Sequence, residues 1–281
     1  MTVPSVVRKS AVAGTFYPGD SGTLKETVDE LLASIGSVDS PGPPKVLLSP
    51  HAGYLYSGPV AAHGFNLLRN HSYDAVVIVG PSHMEHFPFV SVFDGDAYET
   101  PLGLVPVDHT LASTIASGEP GIRASDRGHI QDGMPQREHG LEVQLPFLQR
   151  ILGDFEIVPI VMGDQGEQLC MALGRALSPI LKRPGVLVVV SSDLSHFHSY
   201  DAARNLDSVF CDTLLEMKPQ RLLEFIRSGR CEACGAGPVV AALAACAQAG
   251  LKDCRVLHKA NSGDVTGDRQ SVVGYASAAI F

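Results

Sequence analysis

The stretch VLVVVSSDLSHFHSY, residues 186–200, decides how the rest of the chain is read. Val186 to Val190 run apolar without the alternation of a half-exposed strand, so the pattern predicts a strand buried on both faces. Ser191, Ser192, Asp193, Ser195, His196 and His198 follow directly. A buried strand that ends in polar, titratable residues suits an open α/β sheet, whose ligands bind beyond the carboxyl ends of the strands.

Working outward, KVLLS (45–49), DAVVIVG (74–80) and FEIVPIVMG (155–163) are further apolar runs of strand length. Helical patterns lie between and after them, at 21–35 with Ser21 as N-cap, and at 58–69, 167–182, 201–217, 219–229 and 237–250. FVSVFDG (89–95) and GLVPVD (103–108) read as a short hairpin, and DHTLASTIAS (108–117) as a helix. Residues 119–138, polar and glycine-rich, read as a long loop, and LEVQLPFLQRIL (141–152) as an amphipathic helix. CRVLHKANS (254–262) and QSVVGYASAAI (270–280) close the chain as strands paired antiparallel. Strands alternating with helices predict one α/β domain over residues 1–281, with a mostly parallel central sheet flanked by helices.

Composition narrows the function. The chain has 281 residues, is 45% hydrophobic and contains no Trp. A net charge of −9 argues against nucleic acid and against an anionic membrane surface as partners. The N-terminus lacks the apolar run of a signal peptide. The longest apolar stretch, GPVVAALAACAQAGL (237–251), is shorter than the ~20 residues that cross a bilayer. The six cysteines lie mostly in apolar surroundings, as free thiols of a reduced, cytoplasmic protein do. Cys231-x-x-Cys234 is a lone pair and a weak zinc signal.

Three core strands end in histidine-bearing turns: Pro50-His51, Pro81-Ser82-His83 and the SSDLSH segment ending at His196. At equivalent ends of one parallel sheet, those histidines are expected to converge. A hydrolytic triad is disfavoured, because no G-x-S-x-G elbow occurs in the chain. Asp193 and His196 lie on one turn, so Asp193 either orients His196 for proton transfer or caps the turn; the sequence supports both equally. His51 and His83 suit iron, copper or zinc, with the third ligand open between Glu138, beside His139, and Cys234, which precedes a helix N-terminus.

These segments resemble a known family. AVAGTFYPGD (11–20), SPHAGYLYSG (49–58), GPSH (80–83), REHGLEVQLPF (137–147), SSDLSH (191–196), CGAGPV (234–239) and SVVGYASAAI (271–280) together resemble the Memo family over nearly the whole chain. The likeness is to the branch described as component B of a three-part system. It implies a radical-SAM protein and a small partner protein as partners, with 119–138 the most exposed-looking docking segment by composition. It also implies a fold similar to class III extradiol dioxygenases, non-haem iron enzymes that open catechol rings. Carried onto this chain, the resemblance makes His51, His83 and Cys234 the metal ligands. His196 becomes the acid/base with Asp193 beside it, and Glu138 and His139 line the pocket. A thiolate in place of a carboxylate favours softer metals, iron or copper with zinc also accommodated, and makes ring cleavage a poor expectation.

Two functional readings follow. One is a metal-binding, redox-active enzyme acting on an unidentified small molecule, with Tyr54 at the mouth of the pocket and Phe16 assigned to packing. The other is a non-catalytic scaffold that binds a peptide or protein in the same pocket.

Overall fold

A computed structural model describes residues 6–36, 40–130 and 137–281. In chain order the first half gives β1 (Val7–Arg8), α1 (Ser21–Ala33), β2 (Val46–Ser49), α2 (Tyr54–Asn66), β3 (Ala75–Pro81), β4 (Val90–Val92), β5 (Ala97–Thr100), β6 (Gly103–Pro106), α3 (His109–Ala116) and β7 (Ile122–Ala124). A 3₁₀ turn (Glu142–Gln144) leads into α4 (Leu145–Ile151), followed by β8 (Glu156–Met162), α5 (Glu167–Leu181), β9 (Val186–Ser191) and β10 (His196–His198). Then come α6 (Tyr200–Leu215), α7 (Pro219–Arg227), α8 (Ala236–Ala249), β11 (Cys254–Asn261), α9 (Gly263–Thr266) and β12 (Val272–Ile280).

The main sheet runs β10-β12-β2-β9-β3-β8-β4-β7, with β11 also on β12. Its centre, β2-β9-β3-β8, is parallel, and the strands on either side join it antiparallel, β12 on β2 and β4 on β8. β11 and β12 pair antiparallel, as the closing strands were expected to. The unalternating apolar runs are buried throughout their length, because helices cover both faces. α1, α2 and α4 pack as one group, and α5, α7 and α8 as another. The alanine-rich α8 lies so close to α5 that a Cβ on Gly174 would sit 2.7 Å from Ala244.

One topological fact positions the site. The chain passes from β2 to β3, and β9 later inserts between them. The carboxyl ends of β2, β9 and β3 therefore lie side by side, with Ser49 opposite Ser191 and Val79 opposite Val190. This is the switch-point crevice of an open α/β sheet.

Several local expectations are corrected. Asp20, not Ser21, caps α1, its carboxylate accepting from the Thr23 N–H at 2.9 Å. α2 starts at Tyr54 rather than near 58. Gly58-Pro59 looks like a helix breaker, but here Gly58 lets α1 approach, leaving a Cβ only 2.9 Å from Leu31. The hairpin is β5–β6, turning at Gly103 with φ +121°, while FVSVFDG supplies β4 to the main sheet. Part of the supposed long loop is β7, parallel to β4 at the sheet edge, and residues 131–136 of it lie outside the described residues. All six cysteines are free thiols. Among the described residues no helix is long and apolar enough to cross a membrane.

Candidate metal centre

His51 leaves the end of β2, and its backbone N–H donates to the Asp193 carboxylate at 2.7 Å. Asp193 therefore ties the turn after β9 to the turn after β2. Cys234 reaches the same point from the loop before α8, its N–H donating to the Asp193 carbonyl at 3.2 Å. That loop docks because residue 235 is glycine: a Cβ there would lie 2.6 Å from the Ser191 carbonyl oxygen. Gln165 pins the loop from the other side, donating to the Cys234 carbonyl at 2.8 Å and accepting from the Gly237 N–H at 2.6 Å. His83 follows β3. Ligand atoms of His51, His83 and Cys234 all lie within 4.8 Å of one another.

The hydrogen bonds fix which imidazole nitrogen is offered. The single Ser191 hydroxyl proton goes to the Gly140 carbonyl at 2.5 Å, and the same oxygen accepts from Gln144 Nε2 at 2.9 Å. His51 Nδ1, 2.9 Å from that oxygen, must then carry the ring proton. His51 Nε2 is left with its lone pair, 3.1 Å from the Cys234 sulfur. His83 reaches the same result through a carboxylate. Its Nδ1 lies 3.0 Å from Glu138 Oε1, so its other nitrogen is the one available as a ligand. Partners of this kind behind a ligating histidine set tautomer and orientation.

Glu138 is saturated. It accepts from the N–H groups of His83, His139 and Gly140 at 2.7, 2.9 and 2.8 Å, besides the His83 ring. Burial opposes its charge, but these donors outweigh it and hold the carboxyl down at about 2. Glu138 thus stands behind His83 rather than in the cleft wall where the sequence reading placed it. His51 is pulled well below the usual histidine range by burial and by the neighbouring histidines. Burial also lowers His83, yet the Cys234 sulfur and Glu138 raise it to about 10. Those two groups favour positive charge at this spot, whether a proton or a cation supplies it.

The donor set fits a transition metal ion. Ligands at ~2.0–2.3 Å from a four-coordinate ion stand roughly 3.3–3.8 Å apart, within the span of this cluster. The sulfur also accepts from the Asp193 N–H at 3.2 Å, just ahead of the N-terminus of α8.

His196 lines the same cleft, held by its own turn: Nδ1 donates to the Leu194 carbonyl at 2.8 Å. Nε2 therefore carries a lone pair, and burial lowers the ring's pKa. Of the two roles left open for Asp193, orienting His196 is not the one seen, since its carboxylate serves the His51 turn. Burial pushes Asp193 up to about 7 against the hydrogen bonds from His51 and Ala52. His139 stacks on His83 at 5.1 Å and meets Phe16 edge-on at 4.7 Å.

The cleft holds about 610 Å³. Tyr54 is not in its lining. At the first position of α2 its side chain turns inward, packs on Tyr17 and Phe147, and donates to the Val143 carbonyl at 2.7 Å. Tyr56 lines the cleft instead, and so does Phe16, which also packs against the core as expected.

The sequence reading missed the support beneath Glu138. Arg8 donates to the Glu142 carboxylate and to the Glu138 carbonyl, both fully inside the protein. Glu142 also accepts from the N–H groups of Ala11 and Val12 at 2.7 and 3.0 Å and from the Tyr17 hydroxyl. The N-terminal arm is thereby fastened to the Glu138 turn. The available signal is Glu142, a charged residue set with Gln144 among the apolar residues of LEVQLPF.

The profile of a family described as Memo-like protein matches residues 8–279. A MEMO1 family protein of Thermotoga maritima is 38% identical over 285 residues, covering 98% of this chain and 99% of the relative. One of Nitrosopumilus maritimus is 33% identical over 277 residues, covering 97% and 98%. The solved structure of an uncharacterized protein of Escherichia coli K12 shares the fold, with a TM-score of 0.57 at 14% identity over 84% of this chain and 99% of that one. Because the family match runs from β1 into β12 and takes in every segment that builds the cleft, the chain belongs to the Memo family.

Proposed function

We propose that the protein is a metal-dependent redox enzyme whose ion is iron or copper. The carrying observation is the convergence of two imidazole nitrogens of settled tautomer and one sulfur at the end of the central strands. Two imidazoles with a thiolate suit iron or copper, and zinc is also accommodated. A bound iron or copper ion supplies one-electron chemistry and Lewis acidity that these side chains lack.

The chain's own residues bind, orient and move protons. His51, His83 and Cys234 hold the ion. Ser191 and Glu138 keep the two rings aimed, so little reorganisation accompanies binding. His196, neutral and with Nε2 unprotonated, takes a proton from a ligand seated in the cleft and returns it later. His139 and Phe16 close one wall beside it.

Oxygen uptake tests this reading. Iron- or copper-loaded protein, with ascorbate as reductant, is expected to consume oxygen faster than the free metal salt. His196→Gln should retain its metal and slow uptake by about a hundredfold or more. Loaded wild-type protein that is no faster than the salt sinks the proposal.

A further inference from the structure

The rim of the cleft carries a feature that metal binding does not use. Phe197 stands in β10 with φ +62° and 76% of its surface exposed. An aromatic residue in the left-handed region is strained, and this ring gains no burial in exchange. Met217, the other non-glycine residue with positive φ among the described residues, follows the end of α6, where a left-handed residue is an ordinary helix stop. Phe197 instead sits at a bulge in mid-strand, where β10 shifts register against β12 between His196 and His198 and turns the ring toward the rim of the cleft. Backbone outliers of this kind gather at ligand sites.

The Phe197 ring borders the cleft together with Phe16 and Tyr56, and Asp268 joins them from the loop before β12. Among the described residues that line the cleft there is no Lys or Arg, and its acidic members are Asp193 and Asp268. Aromatic faces carry negative quadrupole charge and attract cations. With no Lys or Arg there, a carboxylate or phosphate on the ligand meets no counter-charge at the rim; the positive charge of the cleft, at His83, lies on its floor. We infer that this rim selects a ligand combining a planar apolar group with a protonated amine, and discriminates against its anionic counterpart. The inference rests on the cleft being the functional site, as proposed above, but needs neither metal nor turnover.

Three indoles that differ in charge test it: tryptamine, neutral tryptophol and indole-3-acetate. The chain has no Trp, so ligand fluorescence and anisotropy report binding without an indole background. Titrations use the full chain as purified and again after chelator treatment, with metal content measured in each sample. Tryptamine is expected to bind about tenfold tighter than indole-3-acetate. Phe197→Gly should weaken tryptamine about fivefold while raising Tm by about 2–4 °C, because glycine removes the strain. Asp268→Asn should erase the preference for tryptamine over tryptophol. Indole-3-acetate binding as tightly as tryptamine in chelated protein overturns the inference, as does failure of all three to bind. Unchanged tryptamine affinity in Phe197→Gly overturns it too. If the rim fails this test with metal retained, the metal-centre reading stands; if metal is absent while tryptamine binds, that reading falls alone.

Discussion

The floor and the rim of one cleft are built on opposite terms. At the floor, His51, Glu138, Asp193 and Ser191 are buried and bonded to identified partners, and even the ring protons are assigned by the network. At the rim, Phe197 and Tyr56 are exposed, and one of them is strained. A buried polar network is costly unless complete, and a complete one rigidifies its members. The floor is thus preorganised for one arrangement of ligand atoms, whereas the rim keeps its surface for whatever enters. The contrast teaches that substitutions below should cost stability and metal affinity, and substitutions above should change ligand choice at little cost to the fold.

The largest break should come from beneath the floor. Glu142→Gln leaves the Arg8 guanidinium buried beside a neutral partner, and urea unfolding should show a loss of about 3–5 kcal/mol. A loss below about 1 kcal/mol would mean that the arm is not fastened there. Next is Glu138→Gln, which cannot accept from all four donors. Metal affinity, read by competition with a chelator, should drop about 10–100-fold; an unaltered affinity contradicts the role given to Glu138.

His129 offers a pH-resolved version of the same contrast. Burial, with the neighbouring Arg8 adding to it, holds its imidazole down at about 3, the Ser91 carbonyl opposing only partly. In the unfolded chain the ring binds a proton below about 6.5. The folded form therefore loses stability as pH falls from about 6.5 toward 3, by up to about 1.4 kcal/mol per pH unit. His129→Gln should flatten that slope in unfolding curves measured across the interval, and parallel curves for the two proteins would remove His129 from the account. The smallest effect belongs to the rim: Tyr56→Ala should leave unfolding free energy within about 0.5 kcal/mol of wild type. A larger loss would show that the rim also serves the fold.

Much of this architecture was legible in the sequence because its signals are local. The unbroken apolar runs gave the central strands, and the histidines directly after them lay at the sheet edge where ligands bind. Cys234 was legible through its glycine-rich turn before a helix. What failed depended on phase or on distance. Starting α2 four residues late made Tyr54 look like a mouth residue. With the helix beginning at Tyr54, that side chain points inward and Tyr56 outward. The Arg8–Glu142 pair joins residues 134 apart, and no periodicity reports such a contact. In the sequence Ser191 is one member of a polar cluster; its task is set by Gly140, Gln144 and His51, which the fold alone assembles.

The central claim is that His51, His83 and Cys234 hold one transition metal ion. Elemental analysis of protein purified without oxygen measures it most directly, with His51→Ala and Cys234→Ala purified alongside. The account predicts about one equivalent of iron or copper per wild-type chain and its loss from both folded variants. A folded wild-type chain that takes up no metal on reconstitution, or variants that hold as much metal as wild type, would contradict it.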